Sequence, residues 1–336
     1  MQKNIILKLL AMLCCISACA YSAAAQTLQP SANIAVPATV IASEDVSGIA
    51  LLGDSLLLVA DETSDHDENV LQVLNAKHEL TATIPLLVGD EVDLEALAVE
   101  GHTVYAIGSH SSKRKRIKAH KSYKKNLKSY RDDAIKDEAG RDFVFRLRLD
   151  AQGKVVDQAQ ASLRDVIQNS PVLSTFSRIP SKENGVDVEG LAVRDGLLYA
   201  GFRGPVFRGN RVPVLRFNFD HPAQGAQLLF VTLDGRGIRG MTEVSDGFLL
   251  LAGPVGDGDG SYCIYHWDGN DTTPGHKRHG AALGQVQRLA ELVVPAGQKA
   301  EGISVITESP RGYQLLIAYD NAKQRDRVIQ RFKFTR

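Results

Sequence analysis

Two kinds of apolar run recur along this chain. Ser55–Ala60, Thr103–Gly108, Leu197–Phe202, Phe248–Gly253 and Tyr313–Tyr319 are almost continuously apolar. Runs of this length suit strands buried on both faces. Phe143–Asp150, Val214–Asp220 and Val328–Phe334 instead alternate apolar and polar residues, as half-buried strands do. Gln227–Leu233 and Val286–Val294 read as further outer strands. Each continuous run follows a segment of one plan: Asp45-Val-Ser47-Gly-Ile-Ala, Asp93-Leu-Glu95-Ala-Leu-Ala, Asp187-Val-Glu189-Gly-Leu-Ala, Gly237-Ile-Arg239-Gly-Met-Thr and Lys299-Ala-Glu301-Gly-Ile-Ser.

The third residue of each segment serves as a marker, and the markers are spaced by 48, 94, 50 and 62 residues. Two inner strands and an outer pair, repeated about every 50 residues, fit one blade of a β-propeller. The expected fold is therefore all-β, with five four-stranded blades, or six if the long gap hides another. That gap holds a basic insertion, 111–141, and a helix-like stretch, Ala161–Phe176, with no further strand of the marker type. The last unit ends after three strands. Its fourth is expected from the N-terminus, Asn33–Ile41, closing the ring. A length of 336 residues exceeds what one core usually supports, which a modular ring accommodates.

In such a ring the starts of first strands and the ends of second strands gather at one mouth of the channel. The markers Ser47, Glu95, Glu189, Arg239 and Glu301 would meet there. Asp45, Asp93, Asp187, Gly237 and Lys299 stand two positions earlier, and by the period-two alternation of a strand they share the same side. The second-strand ends add Asp61, His110, Arg203 and Asp320. Three glutamates around one axis need cations or raised pKa values. Arg203 and Arg239 supply part of that balance. Ca²⁺, bound by Glu95, Glu189 and Glu301, would supply the rest, because it accepts many oxygen ligands in flexible geometry. Alternatively the acids are structural ties to backbone N–H groups and arginines. Arg203 and Arg239, with Asp93 and Asp187, are the candidate contacts to a small anionic ligand. His110 and Glu189 are the candidate proton carriers if the site is catalytic.

Composition narrows the picture. Equal numbers of basic and acidic residues, 39 each, argue against a generic nucleic-acid binder. The hydrophobic fraction of 44% excludes a polytopic membrane protein and a disordered chain. Residues 1–25 read as a signal peptide, with Lys3 and Lys8 before an apolar stretch too short to span a bilayer. Cleavage before Gln26 would leave a periplasmic or secreted domain over 26–336. The run Ile16-Ser-Ala-Cys19 also fits a lipobox, which would anchor the protein by lipid at Cys19. Cys14, Cys15 and Cys19 fall in this leader, so Cys263 is left alone and no disulfide framework exists. Cys263 is expected to face the sheet as a small apolar residue.

Lys113–Arg131 holds ten Lys and Arg residues. It is expected to be a solvated insertion, a contact for an anionic polymer or membrane surface, or a lid paired with the acidic loop that starts at Asp61. Basic residues surround nearly every position, so no apolar face is expected there. Asp257-Gly-Asp259-Gly260 lacks the glycine and glutamate of an EF-hand and reads as a turn. His276 and His279 have no acids nearby in sequence to complete a metal site. A monomer is expected.

Together, Asp93-Leu-Glu95-Ala-Leu-Ala, Gly108-Ser-His110-Ser, Gly185-Val-Asp187-Val-Glu189-Gly-Leu-Ala, Phe202-Arg203-Gly-Pro205 and Gly237-Ile-Arg239-Gly resemble a bacterial exported family of unknown function. The likeness spans roughly Glu44 to the C-terminus. It is more distantly similar to phytase-like and esterase-like propellers, which implies calcium-assisted phosphoester hydrolysis, with no catalytic set that maps residue by residue. The alternative is a non-catalytic interaction module that works through the basic insertion.

Overall fold

The structure, a computed structural model, describes residues 26–61, 69–86, 92–275, 282–321 and 327–335. The leader with Cys19, the acidic loop beyond Asp61, and His276 with His279 lie outside the described residues.

Five antiparallel sheets surround one axis. In the first blade Val46–Leu52, Ser55–Ala60, Val70–Leu74 and Leu80–Pro85 run from axis to rim. The second has Leu94–Glu100, Thr103–Gly108, Phe143–Leu149 and Val155–Ser162. The third has Asp187–Arg194, Leu197–Gly204, Arg211–Phe217 and Gln227–Thr232. The fourth has Gly237–Val244, Gly247–Gly253, Tyr262–Trp267 and Val286–Leu292. The fifth has Lys299–Ser309, Gly312–Asp320 and Val328–Thr335. Its fourth strand is Ala32–Ala35, antiparallel to Val328–Thr335 with Ala32 opposite Arg331. The closing strand is thus shorter than Asn33–Ile41. It stops before Pro37, which has no N–H to give a ladder.

The N-terminal chain also does something the sequence did not signal. Gln26–Leu28 adds a parallel fifth strand to the fourth blade, with Leu28 opposite Leu292. Two neighbouring blades are therefore clasped by one segment. In the long gap, the expected helix Ala161–Phe176 shrinks to Arg164–Gln168, because the outer strand of the second blade continues to Ser162.

The hydrophobic core is divided into five clusters, and each lies between two adjacent blades. Val59 and Leu97 represent the first and second blades, Ile107 and Val188 the second and third. Phe248 sits between the third and fourth, Ile303 between the fourth and fifth, and Ile49 with Ala318 closes the circle. Five interfaces in a closed ring leave no place for a sixth blade. Cys263 is buried in the cluster between the third and fourth blades.

The residue after each marker is Gly48, Ala96, Gly190, Gly240 or Gly302, and crowding at the axis explains why. A Cβ on Gly48 would lie 2.9 Å from Ala96 Cα, and one on Gly240 would lie 2.5 Å from the Glu301 carbonyl oxygen. Small residues let each innermost strand approach its neighbour. Gly240→Ala is therefore expected to destabilise the fold by about 1–3 kcal/mol through overpacking against backbone. A shift of the denaturant midpoint would show it. An unchanged midpoint would mean that the strands part freely at the axis.

Candidate functional site

All five markers share one feature of register. In every blade the ladder between the innermost and second strands shifts register at the marker, Ser47, Glu95, Glu189, Arg239 or Glu301, and in the fifth blade Gly302 is passed over with Glu301. Each marker lies at a β-bulge. Bulges bend a strand and re-aim one side chain. Here a bulge at every blade, rather than simple alternation, presents the five marker side chains at the mouth of the channel.

The markers do not behave alike. Ser47 Oγ donates to the Leu94 carbonyl and ties the first blade to the second. Arg239 is buried and links two glutamates, with Nη1 2.7 Å from Glu189 Oε2 and Nη2 on Glu301 Oε1. Arg203 is equally buried. It donates from Nη2 to Asp187 and from Nη1 pairs with Glu189. Glu189 is therefore shared by two arginines. Burial works against the charge of Arg203, but Asp187, Glu189 and Glu95 together hold its pKa above the ordinary arginine value. The Nε atoms of Arg203 and Arg239 are buried with no hydrogen-bond partner among the described residues.

Asp93 is neutralised from an unexpected direction. Its residue adopts a left-handed conformation, with φ of 53°, and its carboxylate takes a hydrogen bond from Arg141 Nη1. Arg141 lies at the end of the basic insertion, 48 residues further along the chain. It also binds Glu138 at 3.1 Å and Ser111 at 3.3 Å. No marker pattern flags Arg141. The only sequence signal is its place in the last turn before the strand Phe143–Leu149.

Glu95 is the exception. Its side chain is only 7% exposed, yet it makes no hydrogen bond or ion pair with the described residues. Its carboxylate lies within 4.8 Å of two groups of acids, Asp61 with Asp93 and Asp187 with Glu189. Burial, then the charges of Glu189, Asp93, Asp61 and Asp187, push its pKa well above the usual glutamate value. Asp187 is raised to about 6, chiefly by burial and despite Arg203. Glu301 falls in a third group, with Asp61 and Asp320. There Lys299 pairs with Asp320, and burial, then the Asp320 carboxylate, raise the pKa of Asp45 to about 6. Glu95 and Glu189 are thus brought together, and Glu301 stands apart on the far side of Asp61. All three groups offer only carboxylate oxygens, the donor set of hard cations such as Ca²⁺ and Mg²⁺.

His110 is placed away from these acids. Its Nδ1 lies 2.8 Å from the Gly108 carbonyl, and its Nε2 accepts from the Leu163 N–H at 3.2 Å. Those partners require a neutral ring with the proton on Nδ1. Burial lowers its pKa to about 4. Both nitrogens are occupied in fastening the second blade to its outer loop, so a proton-carrying role would require breaking one of these bonds. Nuclear magnetic resonance of the ring nitrogens should find a neutral, Nδ1-protonated imidazole from about pH 5 to 8. Titration near the ordinary histidine value would contradict this assignment.

Comparisons with known proteins add a family and distant likenesses in shape. A search of the curated proteins finds no match. The chain is similar to the calcium-binding protein regucalcin from Agrobacterium tumefaciens at 12% identity, covering 93% of this chain and 98% of that one, with a TM-score of 0.42. It is similar to YCF48 bound to D1 peptide at 10% identity, covering 89% and 67%, with a TM-score of 0.38. The computationally designed protein Ika4 matches at 10% identity over 66% and 90%, with a TM-score of 0.28. The family description "Protein of unknown function (DUF3616)" matches residues 45–334, from the first marker segment to the last strand, and the chain belongs to that family.

Proposed function

We propose that this protein binds a divalent cation, Ca²⁺ foremost, at the mouth of its propeller channel, and through it a small anionic ligand. One observation carries the reading. Glu95 is a buried residue without a hydrogen-bond or ion-pair partner among the described residues, and it belongs to two acid groups at once. An ion there would take oxygens from Glu95, Asp61, Asp93 and Asp187. Glu189 would contribute least, since two arginines already hold it. A bound cation would polarise a phosphoryl or carboxylate oxygen of the ligand. Arg203 and Arg239 border the same site and would lend their positive charge to it.

Phosphoester hydrolysis, which the distant phytase-like resemblance implies, is a narrower form of this reading. In that form His110 is a poor proton carrier, because both its ring nitrogens are hydrogen-bonded and burial lowers its pKa to about 4. The leader expected over residues 1–25 would set the activity outside the cytoplasm, where Ca²⁺ is abundant enough for a weak site. The alternative of Arg–acid ties alone accounts for Glu189, Glu301 and Asp93. It leaves Glu95 unexplained.

The test is thermal unfolding of chelator-treated protein, followed by titration with Ca²⁺ or Mg²⁺. Ca²⁺ at a hundredfold excess over its Kd should stabilise the fold by about 2.7 kcal/mol. Glu95→Gln should abolish that gain and raise the metal-free midpoint, because it removes a repelled charge. No gain in the wild type, or an equal gain in the variant, would overturn the proposal.

The pH dependence has a definite sign. A carboxyl raised in the folded state gives its full stability below its unfolded pKa and loses it as pH rises towards the folded value. Metal-free wild type should therefore lose stability relative to Glu95→Gln as pH climbs above 4.5, the ordinary glutamate value. Comparing the two proteins cancels the opposite contribution of His110, whose lowered pKa costs stability as pH falls below 6.5. Parallel unfolding curves for the two proteins at every pH would show that Glu95 is not repelled.

A further inference from the structure

The basic insertion leaves the second blade at the end of Thr103–Gly108, beside the channel mouth. Its base is well fastened. Ser112–Arg114 pairs with Ile135–Asp137 as a short ribbon. Arg114 binds Glu183 at 2.6 Å and the carbonyls of Ser129 and Arg131 at 2.8 and 2.7 Å. Arg116 reaches Asp257 of the fourth blade at 3.5 Å. The insertion therefore spans the mouth side from the second blade to the fourth.

Its outer lysines have no such partners. Lys115, Lys118, Lys121, Lys124, Lys125 and Lys128 are exposed and make no ion pair among the described residues. Between them stand Ile117, Tyr123, Leu127 and Tyr130, which are 38%, 80%, 50% and 64% exposed. These are four of the seven large exposed hydrophobics among the described residues, gathered within fourteen residues. Tyr123 and Leu127 lie one turn apart on the helix Tyr123–Lys128, and Tyr130 follows on the next turn. That helix has six residues and buries none of them. A helix so short gains its stability from a partner for its apolar face.

We propose that this surface docks on a membrane rich in anionic lipid, with the channel mouth turned towards the headgroups. Lysines around tyrosine and leucine match the requirements of an interface. The ammonium groups meet lipid phosphates while the amphipathic rings sit at headgroup depth. A polyanion in solution would use the lysines and has no need of the apolar residues. No helix among the described residues is long and apolar enough to cross a membrane; the contact is with the surface. The proposal is independent of the cation at Glu95.

Co-sedimentation of residues 26–336, which contain every strand of the ring, would test it. Vesicles of phosphatidylcholine alone would be compared with vesicles that also contain phosphatidylglycerol, all in chelator so that no cation bridges the two. Binding only to the anionic vesicles is expected. Lys124→Glu, Lys125→Glu and Lys128→Glu together should weaken it on the order of a hundredfold. Tyr123→Ser, Leu127→Ser and Tyr130→Ser together should weaken it about tenfold or more while leaving binding to dextran sulfate unchanged. All six residues are exposed, so both variants should melt like the wild type. Absence of binding to anionic vesicles would overturn the proposal. So would wild-type vesicle binding by the Tyr and Leu variant, which would mark the surface as a polyanion site.

Discussion

Five strands meeting around one axis is the constraint on which this molecule rests. The innermost strands approach so closely that a Cβ at Gly48 or Gly240 would strike the neighbouring backbone. At the same level along the axis the ladder of every blade shifts register, and the marker lies at that shift. A packing requirement therefore sets the chemistry. Whatever residue stands at the bulge is pushed to the channel mouth, and the cores between blades hold it there.

Placing charge at five equivalent positions then creates an electrostatic problem, which the chain solves unequally. On the side of the third, fourth and fifth blades, Arg203 and Arg239 thread between Asp187, Glu189 and Glu301. Removing one partner from such a buried network typically costs about 3–5 kcal/mol, because it strands the other charge. On the side of the first and second blades no arginine among the described residues pairs with Glu95. Arg141 satisfies Asp93 from outside, and Glu95 is left facing carboxylates. A fold that needed only neutrality would not leave one acid unpaired next to four others. That imbalance is what a bound cation would correct.

The repeat made the fold legible because a glycine or alanine after each marker and an apolar strand behind it are consequences of axial crowding. The five-blade count followed from the same spacing. The bulges were not legible, since a skipped residue leaves no trace in composition. Asp93 and Glu95 look alike in sequence, two positions apart in one segment. Their difference depends on Arg141, which the fold delivers from the far end of an insertion. His110 looked like a chemical group at the mouth. Its ring is instead committed to Gly108 and Leu163, a local hydrogen-bond choice that only backbone geometry reveals. The clasp by Gln26–Leu28 was hidden because three residues carry no periodicity.

Acids at the centre of the mouth and lysines beside it form a field with two signs on one face. Arg141 joins them, since it is both the last cation of the insertion and the partner of Asp93. Had the insertion served only to neutralise the centre, its lysines would point inward to the unpaired acids. They are exposed instead, and Glu95 keeps its charge problem. The two charges therefore answer to different partners. Exposed lysines raise the local concentration of anions near the mouth, and they are screened only by solvent salt. The buried acids exclude those same anions unless a cation intervenes. The lysines and the buried acids therefore act as two separate surfaces, and the lysines can hold an anionic partner whether or not a cation sits at Glu95.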